Sequence, residues 1–495
     1  SRANPDPHPL ASPIGLDNTV RDCVPFNVMG FGNISREAIN YIGTDKYSVG
    51  IVEQDFAETV LSGKVFDGWG YGPVSAAFGL TYRTPSFVDE AFPLDVDALG
   101  PPQNAPELGI RGIPAGYTGG SPNLHQFSTV PYIYGDYSVW EWFTEWQVPV
   151  WESASKAQRV NSQIAFRSSN YNLSGRSDTW KLGIDAQLME GLRFRATKSL
   201  DVREASFSER FDSQGGGGAV RDRFNADVNT SITVTATGNP DLSPETANTL
   251  VAGIVLQPTW RYLDGLSVSA DWYKVDISGS IQQISAQDVM DRCFAGDQEQ
   301  CSHIIREADG TVAGITRMFF NQDMAKVKGV DLEMSYRMTP NFFPDQKETL
   351  NVRLLSGWLR ERKDINRAGV VTNLLGGYAT PTFTGNLTAT YGVGPWGFQL
   401  QGRYIIGGKL NRLYVEGIQV DKNWLPSVTT WNGQINYRGE FASGATWMAG
   451  LAVQNLFDRN PPIILSTATT GAQGTISNQY DAYGRRYNVS LNVNF

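Results

Sequence analysis

In YSVWEWFTEWQVPVW, residues 137–151, Trp140, Trp142 and Trp146 fall on one parity while Glu141 and Glu145 fall on the other. Side chains alternate across a β-strand with period two, so the stretch reads as a strand with one aromatic and one acidic face. In a soluble protein, three exposed tryptophans on one strand are an aggregation liability. Against lipid they are useful, and the glutamates can point into a wet lumen. The stretch therefore predicts one strand of a transmembrane barrel.

The same alternation recurs along the chain. PVSAAFGLTYR sets Val74, Ala76, Phe78, Leu80 and Tyr82 against Ser75, Gly79, Thr81 and Arg83. DTWKLGIDAQL sets Trp180, Leu182 and Ile184 against Lys181, Asp185 and Gln187, and GLSVSADWY sets Val268, Ala270 and Trp272 against Ser267, Ser269 and Asp271. KGVDLEMSYR places Val330, Leu332, Met334 and Tyr336 opposite Asp331, Glu333 and Ser335. Later segments put Phe383, Leu387 and Tyr391, then Trp431, Ile435 and Tyr437, on the apolar side. The chain ends in YNVSLNVNF (487–495), with Tyr487, Val489, Leu491, Val493 and Phe495 on one face and Asn488, Ser490, Asn492 and Asn494 on the other. We count about sixteen such segments, many near the roughly 9–11 residues of a tilted transmembrane strand.

Composition agrees. Of 495 residues 41% are hydrophobic and 18% charged, below the roughly 25% charged of soluble domains. A net charge of −9 argues against a nucleic-acid partner, which calls for a basic stripe. No run of about 18 apolar residues occurs, so a spanning helix is excluded. A membrane protein then has to span as a closed barrel, the other structure that satisfies its backbone in lipid. The opening SRANPDPHPLASPIG is neither signal peptide nor presequence and reads as the middle of a loop.

Connections alternate in length: short at MEG (189–191) and GVGP (392–395), long and rich in Gly, Pro and polar residues over about 89–130, 205–240, 408–426 and 458–481. Short turns on one rim and long loops on the other is the plan of an outer-membrane barrel. Helical periodicity is confined to SREAINYI, from Ser35, and SAQDVMDRC, from Ser285, where Ser285 and Asp288 resemble a capping box.

Chemistry-bearing patterns are sparse. His8, His125 and His303 fall in loops and no nucleophile elbow occurs, so no catalytic residue, metal site or cofactor is expected. The run GGGG (215–218) lacks the Lys-Ser/Thr of a phosphate cradle and reads as a flexible loop. The acidic DEAFPLDVDAL (89–99) lacks calcium-loop spacing and reads as solvated. Cys293 and Cys301, in DRCFAGDQEQCSH, are a candidate disulfide in an oxidising compartment, the alternative being two free thiols; Cys23 stands alone. FDGWGYGP (66–73) and YVEGIQVDKNW (414–424) set Trp69, Tyr71, Tyr414 and Trp424 beside polar groups, as sugar sites do. Anchoring at a membrane edge or loop packing is the reading to beat, because Trp and Tyr favour interfaces anyway.

Several stretches together resemble the TonB-dependent outer-membrane receptors, of the large proteobacterial type. GNPDLSPETANTLVAGI (238–254) is similar to the family's "GNP-L-PE" segment, and LRFRATKSLDVREASFSERF (192–211) to the strand and loop before it, although Ala205-Ser206 stands where the family commonly has proline. VKGVDLEMSYR (327–337), LAVQNLFDRNPP (451–462) and YDAYGRRYNVSLNVNF (480–495) resemble its later strands, and RDCVPFNVMGFGNISREAINYI (21–42) an extracellular segment.

The resemblance implies an all-β chain: residues 1–46 an extracellular loop segment with a short helix, residues 47–495 the C-terminal part of a 22-stranded antiparallel barrel. The family's N-terminal plug domain has no counterpart here, as expected of part of a longer or split receptor. The implied function is binding of a scarce or bulky nutrient at the surface of a Gram-negative cell and its import into the periplasm. Implied partners are TonB, acting through the plug, outer-membrane lipid and lipopolysaccharide, and the barrel assembly machinery, with Tyr487, Val489, Leu491, Val493 and Phe495 as the assembly signal. The runner-up is a passive porin-like channel, in which the last strand closes on the first. A soluble β-rich binding module comes third.

Overall fold

The computed structural model describes residues 33–42, 48–91, 133–260, 263–366, 369–412, 414–417, 420–463 and 479–495. Cys23, His8, His125, the acidic stretch from residue 92 onward and most of the last long connection lie outside these residues. A short helix α1 (Arg36–Ile42) comes first, and the Ser35 hydroxyl accepts a hydrogen bond from the Ala38 N–H at 3.1 Å.

The strands are β1 (Ser48–Phe66), β2 (Val74–Ala91), β3 (Ile133–Asp136), β4 (Val139–Glu152), β5 (Arg159–Tyr171), β6 (Gly175–Met189), β7 (Leu192–Arg203), β8 (Ser213–Asp222), β9 (Val228–Thr237), β10 (Glu245–Leu256) and β11 (Leu266–Gln283). They continue with β12 (Ile304–Arg306), β13 (Val312–Met338), β14 (Glu348–Ile365), β15 (Val371–Asn373), β16 (Phe383–Val393), β17 (Trp396–Ile405), β18 (Gly408–Lys409), β19 (Trp424–Leu425), β20 (Val428–Glu440), β21 (Thr446–Gln454) and β22 (Arg486–Asn494). Three further helices are α2 (Phe207–Phe211), α3 (Ala286–Phe294) and α4 (Gln298–Cys301).

The long strands form one antiparallel meander. Its order is β1-β2-β4-β5-β6-β7-β10-β11-β13-β14-β16-β17-β20-β21-β22, fifteen strands among the described residues. A groove lined mainly by polar-face residues of β7, β11, β13, β14, β16 and β17, among them Arg195, Asp271, Asp331, Glu333, Asn386 and Arg403, marks that face as the concave one. Among the described residues β22 pairs only with β21 and β1 only with β2, so the expected pairing of last strand with first is not made. Strand number, tilt and stagger of a barrel are linked. Strands curved for a wider circle describe an arc with two edges.

Connections alternate between the ends of the sheet as expected. One rim carries 67–73, 153–158, 190–191, 257–265, 339–347, 394–395 and 441–445; the other carries 92–138, 172–174, 204–244, 284–311, 366–382, 406–427 and 455–485. The two-residue turn 190–191 depends on Gly191, at φ 76°, where a Cβ would approach the Gln257 carbonyl oxygen to 2.3 Å.

On the long-connection rim the sequence reading needs correction. Residues 205–240 are not an open loop, and Gly215–Gly218 lie inside β8, paired with Thr235 to Ile232 of β9. A Cβ at Gly218 would sit 2.6 Å from the Val234 side chain, so the glycines let the hairpin close against bulky partners. β9 pairs in parallel with the first part of β13, which also pairs with β12. Together with α3 they enclose a core of Val220, Ile232, Ile284, Val289, Met290, Val312 and Ile315. The Ser285–Asp288 capping box starts α3 as expected, and Cys293 at its end is bonded to Cys301 of α4, S–S 2.11 Å. This rim carries a small folded subdomain with its own core.

Candidate functional site

The parity of the strands sorts the sheet into two chemistries. On the convex face Leu350, Tyr391, Phe398, Ile435, Leu451 and Val489 follow one another across β14, β16, β17, β20, β21 and β22. Near the short-turn rim an aromatic series runs Tyr391–Phe398–Trp396–Tyr437–Trp447, with centroids 6.3, 6.2, 4.8 and 5.6 Å apart. Near the opposite rim Trp358, Phe383 and Tyr404 form a second group, at 5.4 and 5.9 Å. Trp140 is 62% exposed and its neighbour Glu141 only 7%, the division expected of their parities.

The concave face is polar, and from β2 to β14 it is charged. Glu141 accepts hydrogen bonds from Ser169 at 2.6 Å and Thr81 at 3.2 Å, while the Arg83 and Arg167 guanidiniums stand 3.9 Å away. Arg167 also lies 4.9 Å from the Phe143 ring centroid, and Phe143 fits only because Gly79 leaves it room. Farther along, Arg193 pairs with Asp185 at 2.6 Å and Arg353 with Glu333 at 2.9 Å.

Arg195 binds Asp271 through two hydrogen bonds, of 2.8 and 2.6 Å, yet β10 lies between their strands. Gly253 stands opposite both residues, and a Cβ there would come within 2.0 Å of the Asp271 carboxylate. Its missing side chain is the gap through which the bridge passes.

From β16 to β20 the same face carries mainly amides: Asn386, Gln401, Asn432, Gln434 and Asn436. Asn432 donates to Gln401 at 3.1 Å and accepts from the Asn455 backbone at 2.9 Å.

At the long-connection rim two devices hold the loops. Arg210 of α2, 1% exposed, pairs with Glu204 and donates to the carbonyls of Pro240 and, at 2.9 Å, Leu242. It thereby ties residues 192–211 to residues 238–254, the two stretches that carry much of the family resemblance. In the subdomain, Arg306 binds Asp222 at 2.8 and 2.9 Å and stacks 5.2 Å from the Phe224 ring. Arg306 holds the Asp222 carboxyl below its usual range, and Arg223 does the same for Asp291.

The four aromatic candidates do not meet. Trp69 and Tyr71 lie in the β1–β2 turn on the short-turn rim, where the Trp69 ring packs at a tilt against Phe66, centroids 5.9 Å apart. Tyr414 and Trp424 lie at the other end, in the β17–β20 connection, around a buried Asn423 that donates to the carbonyls of Asn411 and Tyr414 at 2.9 Å. The sequence reading missed the ion pairs and amides of the concave face. Their signal was the polar parity itself, which names the face but not which residues meet. No cluster of metal-ligating side chains occurs among the described residues.

Residues 21–456 match the family described as TonB dependent receptor-like, beta-barrel. No curated protein matches. Among solved structures, a ferric enterobactin receptor from Pseudomonas aeruginosa, in complex with enterobactin, superposes with a TM-score of 0.59 at 14% identity. The match covers 89% of this chain and 54% of that one. A siderophore receptor from Acinetobacter baumannii gives 0.55 at 16% identity, with 94% and 57% covered. At such identities the likeness is one of fold, and the chain spans little more than half the length of either receptor.

Proposed function

Because the chain belongs to the TonB-dependent receptor family, in its β-barrel part, we propose that it forms much of the wall of an active importer in the outer membrane of a Gram-negative bacterium. The long-connection rim faces the cell exterior and the short-turn rim the periplasm. A scarce or bulky nutrient is captured among the outer loops and on the concave wall. It is released inward when TonB pulls on the family's plug region, and the chain itself catalyses no bond chemistry. The observation that carries this reading is the two-faced sheet: an apolar convex side bounded by aromatics at both ends, backed by a continuous polar wall.

The dimensions support a membrane span. Phe383 and Tyr391, one from each aromatic group, stand roughly 26 Å apart along β16. A strand tilt of about 40° reduces that to about 20 Å, and the rings fill out a band about 25 Å tall. Residues 1–46 then belong to the outer loops, and the Trp69 and Tyr71 turn anchors the periplasmic edge, away from any surface capture site.

The test is uptake. Cells carrying the receptor are fed a panel of iron chelates, cobalamin and oligosaccharides, with and without TonB. Energy-dependent uptake that disappears without TonB supports the proposal; uptake indifferent to TonB, with steady conductance in planar bilayers, makes the protein a passive channel.

A further inference from the structure

The small sheet of the outer subdomain runs β8-β9-β13-β12, and its two edges are kept differently. An exposed edge invites a further strand, and proteins blunt edges by making them short, charged, bulged or proline-containing. β12 is three residues long and ends in Arg306. From Ser213 to Ala219, β8 has none of these protections: no charge, no proline and no shift of register against β9. Residues of an antiparallel strand alternately turn both backbone groups toward the partner and both away. Two contacts fix the phase. Asp212 accepts from the Gly238 N–H across the ladder at 2.6 Å, whereas Arg221 gives its N–H and its carbonyl to the Gln287 side chain, at 2.8 and 3.2 Å. Ser213, Gly215, Gly217 and Ala219 share the parity of Arg221, so their N–H and C=O groups point off the edge. None of these groups is hydrogen-bonded among the described residues.

The row is within reach of a ligand. Gly215, Gly217 and Ala219 are exposed, and a Cβ at Gly215 or Gly217 would meet no atom within 4 Å. Glycine inside a strand often marks a place where another backbone comes close. The Gln287 amide offers one acceptor and one donor side by side, as a peptide group does. It occupies the edge at Arg221 as a paired strand would, and stops there. The Arg221 guanidinium makes no ion pair among the described residues, while Arg223 is bound by Asp227 and Asp291.

We propose that the free edge of β8 binds an extended peptide, which joins the subdomain sheet as one further strand. A row of paired donors and acceptors repeating about every 7 Å is the complement of another polypeptide backbone. A sugar or a metal chelate carries no such repeat. The glycines set the side chains of the incoming strand. On the opposite edge Gly216 and Gly218 face Val234 and Ile232 of β9, branched side chains that pack where β8 has none. The peptide therefore needs branched residues at alternate positions, and an acidic residue at the end that meets Arg221. The chemistry is the same whether the peptide is cargo or an exposed segment of a partner protein.

The inference goes beyond the import reading and takes from it only that this rim faces outward. Binding is therefore measured first on the detergent-purified receptor, where orientation and TonB play no part. The probe is a fluorescent peptide copying residues 229–237 of β9, with two glutamates added at its N-terminus to meet Arg221 in an antiparallel pairing. Saturable binding is expected. Methylating the peptide nitrogens of alternate residues should abolish it in one of the two phases. Gly217→Pro removes one edge-facing N–H and costs no ladder bond, the situation in which a strand tolerates proline. It should weaken binding about tenfold, the order of one lost hydrogen bond. Gly217→Ala keeps the N–H and adds a methyl in open space, and should leave binding unchanged. Both variants should retain the heat-modifiable migration that marks an intact barrel. A peptide that does not bind, that binds equally with either phase methylated, or that Gly217→Pro does not weaken overturns the proposal. On cells, TonB-dependent entry of the bound peptide marks it as cargo, and retention at the surface marks the edge as a dock for a partner protein. TonB-dependent uptake of a nutrient with no peptide bound would sink the edge site and spare the importer; peptide binding with no TonB-dependent uptake of any nutrient would do the reverse.

Discussion

At the scale of single residues, the concave wall depends on absences as much as on side chains. Gly253 contributes nothing to the Arg195–Asp271 bridge except the space it leaves. Gly253→Ala should therefore cost about what Arg195→Ala costs, about 1 kcal/mol for a partly exposed pair. The double variant should lose little more than either alone, because both remove one interaction. Unfolding of the two single variants and the double variant in detergent checks this, and full additivity would mean the glycine acts elsewhere. None of it was legible beforehand. Arg195, Gly253 and Asp271 are far apart in sequence, and parity places each on the inner face without saying that three strands align them. Asn386 and Gln401 were similarly visible as polar positions, but the partners of their amides among the described residues emerge only when neighbours are known.

At the scale of elements, the subdomain on the long-connection rim has a built-in acid limit. Arg306 holds the folded-state pKa of Asp222 below the unfolded value. The stability this pair contributes is complete above the ordinary aspartate range, about pH 4, and is lost as pH falls through the depressed folded value. Hydrogen exchange at Val312–Ile315 should accelerate below about pH 4, and Asp222→Asn should flatten that response while raising exchange at neutral pH. An unchanged acid profile in the variant would move the control to another carboxylate, Asp291 being next. Mass spectrometry of unreduced peptides should recover Cys293 joined to Cys301, and two free thiols would contradict the fold of α3 and α4. The sequence announced α3 through Ser285 and Asp288, because a capping box is local. It did not announce β8, because a glycine run becomes a strand only when β9 supplies Ile232 and Val234 to pack on it.

For the whole molecule, the two faces make opposite demands. Leu387→Arg, mid-strand on the convex side, should cost roughly 2–4 kcal/mol in a bilayer, whereas Thr388→Arg, one position on and facing inward, should be tolerated. Folding titrations into vesicles decide, and equal penalties would mean the faces are assigned wrongly. Deleting Phe495 should impair membrane insertion in cells more than refolding in detergent, since the residue is fully exposed beyond β22 among the described residues. Equal insertion of both chains would remove the assembly-signal role. The barrel class was readable because period-two alternation is written into each strand; closure was not, because how far a sheet curls depends on tilt and stagger that no single strand records. The meander also has a meaning in time. Each long strand of the wall pairs with the next one along, so the wall can be zipped up in the order of the chain, with short loops closed on one rim and longer ones on the other. The exception is β9 against β13, a parallel pairing across an intervening hairpin of the wall, β10 and β11. That contact must wait for both strands, which makes the outer subdomain the last part of its neighbourhood to become rigid and the first to let go.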